Sequence, residues 1–101
     1  MTRAQARAAG ALKRHGTSFT VGGVGHTGVW SVVSTNYAAI LLDSAAYLSG
    51  APPWHLVTVG VDDTTAVGQV AVRGSVSYTV RGVLPREAYG QTVAKALVVS
   101  R

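Results

Sequence analysis

From Trp54 onward the chain is a series of short valine-rich runs, each interrupted by glycine, proline or aspartate. This pattern leaves little room for long helices and calls for short strands joined by tight connections. Residues 54–61 read as one strand, carrying Leu56, Val57, Val59 and Val61, and Asp62-Asp63 opens a turn after it. Residues 69–73 and 76–84 read as two strands joined at Gly74-Ser75, a connection of the hairpin type. Within the second of these, Val76, Tyr78 and Val80 share one face while Ser77, Thr79 and Arg81 share the other. Residues 85–90 read as a connection, and residues 92–100 as a last strand with Val93, Leu97 and Val99 on one face.

The first half is more varied. Residues 2–15 favour a helix, with Thr2 as N-cap, alanines through the middle, Lys13, Arg14 and His15 at the cationic end and Gly16 as the stop. Its apolar face is shallow, so it needs a surface to dock on. Residues 17–21, with Phe19, read as the first strand, and residues 29–34, with Trp30, as the second. Residues 22–28 hold four glycines and read as a turn or flexible loop. Residues 37–42 continue the second strand or form another short one. Residues 43–53 start like a helix and end in Ser49-Gly50-Ala51-Pro52-Pro53, which makes them a long excursion between strands.

The 101 residues fit one domain: a helical arm over 1–16 and a β unit over 17–101 with its excursion at 43–53. The fold class is mainly β, a small antiparallel β-barrel or sandwich with a short N-terminal α-helix and a long inter-strand loop. Closure into a barrel is the simplest way to hide sheet edges.

Composition narrows function. Charged residues are only 13% of the chain, about half the usual share, which points to surface buried in an assembly. Net charge is +5, a balance that suits nucleic acid, anionic lipid or an acidic protein face. Arg3, Arg7, Lys13 and Arg14 precede the first acid, Asp43, and are candidates for a DNA channel or an acidic partner. With no cysteine, disulfides and thiolate metal sites are excluded. No apolar run reaches the roughly 20 residues that span a bilayer, so no membrane partner is expected. The leading arginines have no apolar stretch behind them, so export by a signal peptide is not expected.

Reactive groups do not assemble in the sequence. His15, His26 and His55 lack a metal-ligand spacing. Asp62 and Asp63 are adjacent, so on a strand they would face opposite ways and make no acid–base dyad. The glycine stretch lacks a Walker lysine, and no serine sits in an elbow such as GxSxG. No enzyme activity, cofactor or metal is expected. Trp30, Tyr37, Trp54 and Tyr78 read as core and interface residues ahead of base-stacking platforms. Apolar residues on the long excursion, Tyr47, Leu48, Pro52, Pro53 and Trp54, are candidate partner contacts. Gly22, Gly23, Gly25 and His26 in the glycine stretch join them.

One combination of motifs stands out. The helix ends in Lys13-Arg14-His15-Gly16 and runs directly into Thr17-Ser18-Phe19-Thr20-Val21. Later the chain reads Val67-Gly68-Gln69-Val70-Ala71-Val72-Arg73-Gly74-Ser75-Val76-Ser77-Tyr78-Thr79-Val80, then a short connection and a last strand. This resembles the head-closure, or head–tail joining, proteins of long-tailed bacteriophages, whose pattern is a helix ending near "KHG" or "RHG", a strand, and a V-x-G-x-x-Y-x-V hairpin. The resemblance covers most of the chain outside the excursion, and departs at Gln69, where the pattern often has an acid, and at Ser75-Val76-Ser77, which makes the hairpin spacing slightly different. It implies a virion protein of the neck, made in the host cytoplasm and assembled as a ring, commonly of six or twelve copies. Such a ring sits between the portal or its adaptor and the tail terminator or tail tube, closes the head after DNA packaging and presents the tail attachment surface. Non-specific contact with packaged DNA fits the basic balance. A tail terminator or tail-completion ring, and a soluble nucleic-acid-binding barrel, are the alternative readings.

Overall fold

The computed structural model describes residues 2–42, 52–88 and 90–101, without the side chains of residues 8, 9 and 11–14. The elements are α1 (Arg3–His15), β1 (Thr17–Val21), β2 (Val24–Val33), α2 (Thr35–Leu41), β3 (Trp54–Gly60), β4 (Val70–Arg73), β5 (Val76–Ala88) and β6 (Gln91–Ser100). The six strands close into a barrel in the order β1-β2-β3-β6-β5-β4. Every neighbouring pair is antiparallel. The seam between β1 and β4 rests on two residue pairs, Thr20 with Val72 and Val21 with Ala71.

The ends of α1 and α2 follow local rules. Thr2 and Gln5 form a reciprocal capping box: the Gln5 N–H donates to Thr2 Oγ1 at 3.2 Å, and the Thr2 N–H donates to Gln5 Oε1 at 3.1 Å. Gln5 Nε2 also donates to the Thr92 carbonyl at 3.1 Å, tying α1 to β6. Ser34 caps α2, its Oγ accepting the Tyr37 N–H at 3.1 Å.

Alternation along the strands sorts side chains into two clusters. Inside the barrel lie Phe19, Val21, Val57, Val59, Ala71, Tyr78, Val80, Leu97 and Val99. Outside it, α2 covers β3 and β6, and Ala38, Trp54 and Val98 form a smaller core with Leu42 and Leu84 around it. β3 and β6 are therefore buried on both faces. Two glycines permit close approach. A methyl at Gly82 would lie 2.6 Å from Leu42 Cδ2, and one at Gly28 would lie 2.6 Å from Val57 Cγ1 and 3.1 Å from Phe19 Cε1. β5 carries irregular register between Val80 and Gly82 and between Arg86 and Glu87, which lets this long strand bend around the barrel.

Several expectations change. The glycine stretch is not a loop: Gly22 and Gly23 alone make the turn, with φ of 59° and 81°, and β2 already begins at Val24. A two-residue turn with positive φ at both positions matches the right-handed twist of its flanking strands. Residues 37–42 do not extend a strand; most of them lie in α2, because Ser34 supplies a cap and Ala38 and Leu41 face the outer core. Residues 85–90 are largely not a connection, since β5 runs through Pro85 to Ala88. Residues 43–51, including Tyr47 and Leu48 of the expected contact loop, lie outside the described residues.

Candidate functional site

Antiparallel order gives the barrel two distinct ends. One gathers the starts of β1, β3 and β5 with the finishes of β2, β4 and β6. There Trp30, His55 and Tyr78 pack together inside the barrel, His55 edge to face with each of the other two and Trp30 tilted on Tyr78. The ring centroids lie 5.8 Å apart for Trp30–His55, 5.2 Å for Trp30–Tyr78 and 5.1 Å for His55–Tyr78. The Arg73 guanidinium lies over this cluster, 4.4 Å from the Trp30 centroid and 5.8 Å from that of Tyr78. Such stacking holds a planar cation in place and keeps its N–H donors at the ring's periphery. Arg73 makes no ion pair among the described residues. Burial lowers the His55 pKa below the ordinary histidine value, and the neighbouring Arg73 charge lowers it further, so His55 is held neutral. The Trp30 indole N–H and His55 Nδ1 are buried without a hydrogen-bond partner.

The other end carries a polar knot. His26 Nδ1 donates to Asp63 Oδ2 at 2.8 Å, and the Thr65 N–H donates to Asp63 Oδ1 at 2.8 Å. Lys95 Nζ donates to the Asp63 carbonyl at 2.8 Å, and the His26 ring stacks on Phe19 at 5.4 Å. Burial pushes the Asp63 carboxyl up, but hydrogen bonding from Thr65 and His26 outweighs it and leaves the group below the ordinary carboxylate value. The knot pins the β3–β4 connection against β2 and β6. Shallow open depressions flank His26, one along Gln5, Gly60 and Asp62 and one along Val21, Val24 and Gln69.

Comparison of the chain with protein-family models, with curated proteins and with solved structures found no match.

The three histidines do not converge: His15 ends α1, His26 sits in the knot, and His55 lies in the aromatic cluster. No group of three or more metal-ligating side chains occurs among the described residues. Sequence spacing gave no sign of the His26–Asp63 pair, whose partners are 37 residues apart. Arg3 and Arg7 are exposed near the start of α1, while Lys13 and Arg14 fall in its last turn.

Among the expected contacts, Pro52 and Pro53 are exposed and Gly22, Gly23 and Gly25 lie at or beside the β1–β2 turn. Trp54 is not a surface residue: it is 2% exposed, a central member of the core beneath α2. Sequence reasoning passed over a different apolar surface. Val32 is 76% exposed, Ile40 79%, and Tyr37 projects from the same helix as Ile40. Ile40 and Tyr37 are three apart on α2, hence on one helical face.

Proposed function

We propose that this chain is a structural subunit of the neck of a long-tailed phage. Copies form a ring between the portal or its adaptor and the tail, close the head after packaging and offer the tail its attachment surface. One observation supports the reading: the stretches that carry the resemblance form a helix-to-strand junction and a β-hairpin. The helix ending Lys13-Arg14-His15 passes through Gly16 into β1, and Val72-Arg73-Gly74-Ser75-Val76-Ser77-Tyr78-Thr79-Val80, one residue longer between glycine and tyrosine than V-x-G-x-x-Y-x-V, forms the β4–β5 hairpin. In that hairpin Gly74 takes a positive φ of 64° and Tyr78 is buried in the barrel core.

The surface supports assembly. A closed barrel is a stiff wedge that repeats well around an axis. Val32, Tyr37 and Ile40 expose apolar area of a kind that subunit interfaces cover. The basic surface suits a second reading, a soluble nucleic-acid-binding barrel acting as a monomer.

The test is the oligomeric state together with incorporation. Purified protein examined by mass photometry and negative-stain electron microscopy should form closed rings, and intact particles should hold the chain at a fixed copy number at the head–tail junction. A strictly monomeric protein that never co-purifies with particles would overturn the reading.

A further inference from the structure

The net charge of +5 is not spread evenly over the fold. Around the end that bears the His26–Asp63 knot, Arg3, Arg7, Arg86 and Lys95 are offset by Asp62, Asp63 and Glu87. Asp62 and Asp63 follow the finish of β3, and Glu87 lies near the finish of β5. The opposite end has no Asp or Glu among the described residues. Arg73 closes β4 there, Arg101 follows β6, and Arg81 reaches in from β5 to donate from Nε to Ser100 Oγ at 3.1 Å. Lys13 and Arg14 arrive at the same end, because α1 runs through Gly16 straight into the start of β1.

We propose that this cationic end of the barrel, centred on Arg73, is a surface for the phosphate backbone of duplex DNA. Concentrating cations on one end while Asp62, Asp63 and Glu87 sit at the other gives the domain a directional field that attracts a polyanion to one face. Arg73 is pre-positioned by Trp30 and Tyr78, so little side-chain freedom is lost on contact with a phosphate. Beneath it Tyr78 is 5% exposed and His55 6%, and half-buried Trp30 has its ring face covered by the Arg73 guanidinium, so these rings offer little open face to bases. That burial argues against single-strand recognition by stacking and for contact with phosphates alone, without regard to sequence. The inference rests on the ring reading only for its setting, in which this end lines the DNA passage.

The test is fluorescence anisotropy of a labelled random-sequence duplex titrated with the full-length protein over a salt series. The double variant Arg73→Gln/Arg101→Gln should weaken binding and flatten the log K against log salt slope by about two, one per lost phosphate contact. Arg3→Gln/Arg7→Gln, at the acid-bearing end, should leave the slope unchanged. Arg73→Lys keeps the charge and should keep most of the slope. Arg101→Gln alone lies beyond β6 and guards against a folding defect; it should remove about one from the slope. Absence of duplex binding at low salt, or an equal loss from the Arg3/Arg7 variant, overturns the proposal. Mass photometry on the same samples separates the two readings. Rings that fail to bind duplex leave the ring reading standing without this one. Monomers that bind duplex through Arg73 and Arg101 do the reverse.

Discussion

The tightest approach into the barrel interior is at Gly28, where Val57 Cγ1 and Phe19 Cε1 both crowd the missing side chain, and filling it should have a measurable cost. An alanine methyl there would sit 2.6 Å from Val57 Cγ1 and 3.1 Å from both Phe19 Cε1 and the Thr58 carbonyl oxygen. Ordinary carbon–carbon contact begins near 3.5 Å, so Val57 must retreat by almost an ångström. It has little freedom to do so. Val57 is fully buried, β-branched and therefore stiff at χ1, and it lies on β3, which is hydrogen-bonded on both sides. Overpacking of this kind costs about 1–3 kcal/mol, while the reduced freedom of the unfolded chain returns about 0.4–1 kcal/mol. Gly28→Ala should therefore destabilise by about 1–2 kcal/mol, or roughly 4–16 °C in Tm for a domain of this size. Val57→Ala alone also destabilises, by opening a cavity. The double variant should be better than the sum of the two, with a coupling of about 0.5–3 kcal/mol, because the new methyl occupies space that Cγ1 vacates. Urea unfolding of the four proteins measures the cycle. Strict additivity, or a Gly28→Ala protein as stable as the parent, would refute the packing argument.

Other expectations follow from the polar contacts. Asp63→Asn should cost about 1–3 kcal/mol at neutral pH. Because the folded carboxyl titrates below its unfolded value, this deficit should shrink as pH falls below about 4; a gap of constant size across pH 7 to 3 would contradict it. His55 is held neutral in the fold, so its contribution is fully present above the ordinary histidine value and declines as pH drops from about 6.5. Replacing it by Phe should flatten that part of the stability–pH curve relative to the parent, and parallel curves would count against it. Gln5→Ala removes both the capping box and the tie to Thr92. It should lower protection of the α1 amides in hydrogen exchange and reduce stability by about 1 kcal/mol.

The sequence was most legible where local chemistry decides. Thr2 as a helix cap, Gly16 as a stop and Gly74-Ser75 as a hairpin turn all act over a few residues, and all stand in the fold. The glycine stretch misled because glycine has two uses. Gly22 and Gly23 supply positive φ, whereas Gly28 is a strand residue whose missing side chain makes room for Val57, a neighbour remote in sequence. The Pro85 region misled for a related reason. Proline is expected to break strands, but β4 pairs with β5 only through Thr79, so at Pro85 the strand has β6 as its one ladder partner. α2 did leave a signal, in Ser34 three residues ahead of Tyr37, but its apolar residues suit either period. The His26–Asp63 knot and the Arg73 stack could not be foreseen, since the first joins residues 37 apart and the second sets Arg73 of β4 over Trp30 of β2, strands that only closure of the sheet brings together.

The slender β1–β4 seam has a consequence for how the chain reaches this shape. β1–β2, β4–β5 and β5–β6 are hairpins of near neighbours and can form early, whereas β3–β6 and β1–β4 join distant segments and carry the loop-closure cost. The β3–β6 ladder recovers that cost over seven residue pairs, but the seam has only two. A curled sheet should therefore assemble first and the cylinder shut last. In pulse-labelled refolding, amides along the seam at Thr20 and Val72 should gain protection after those of β3 and β6.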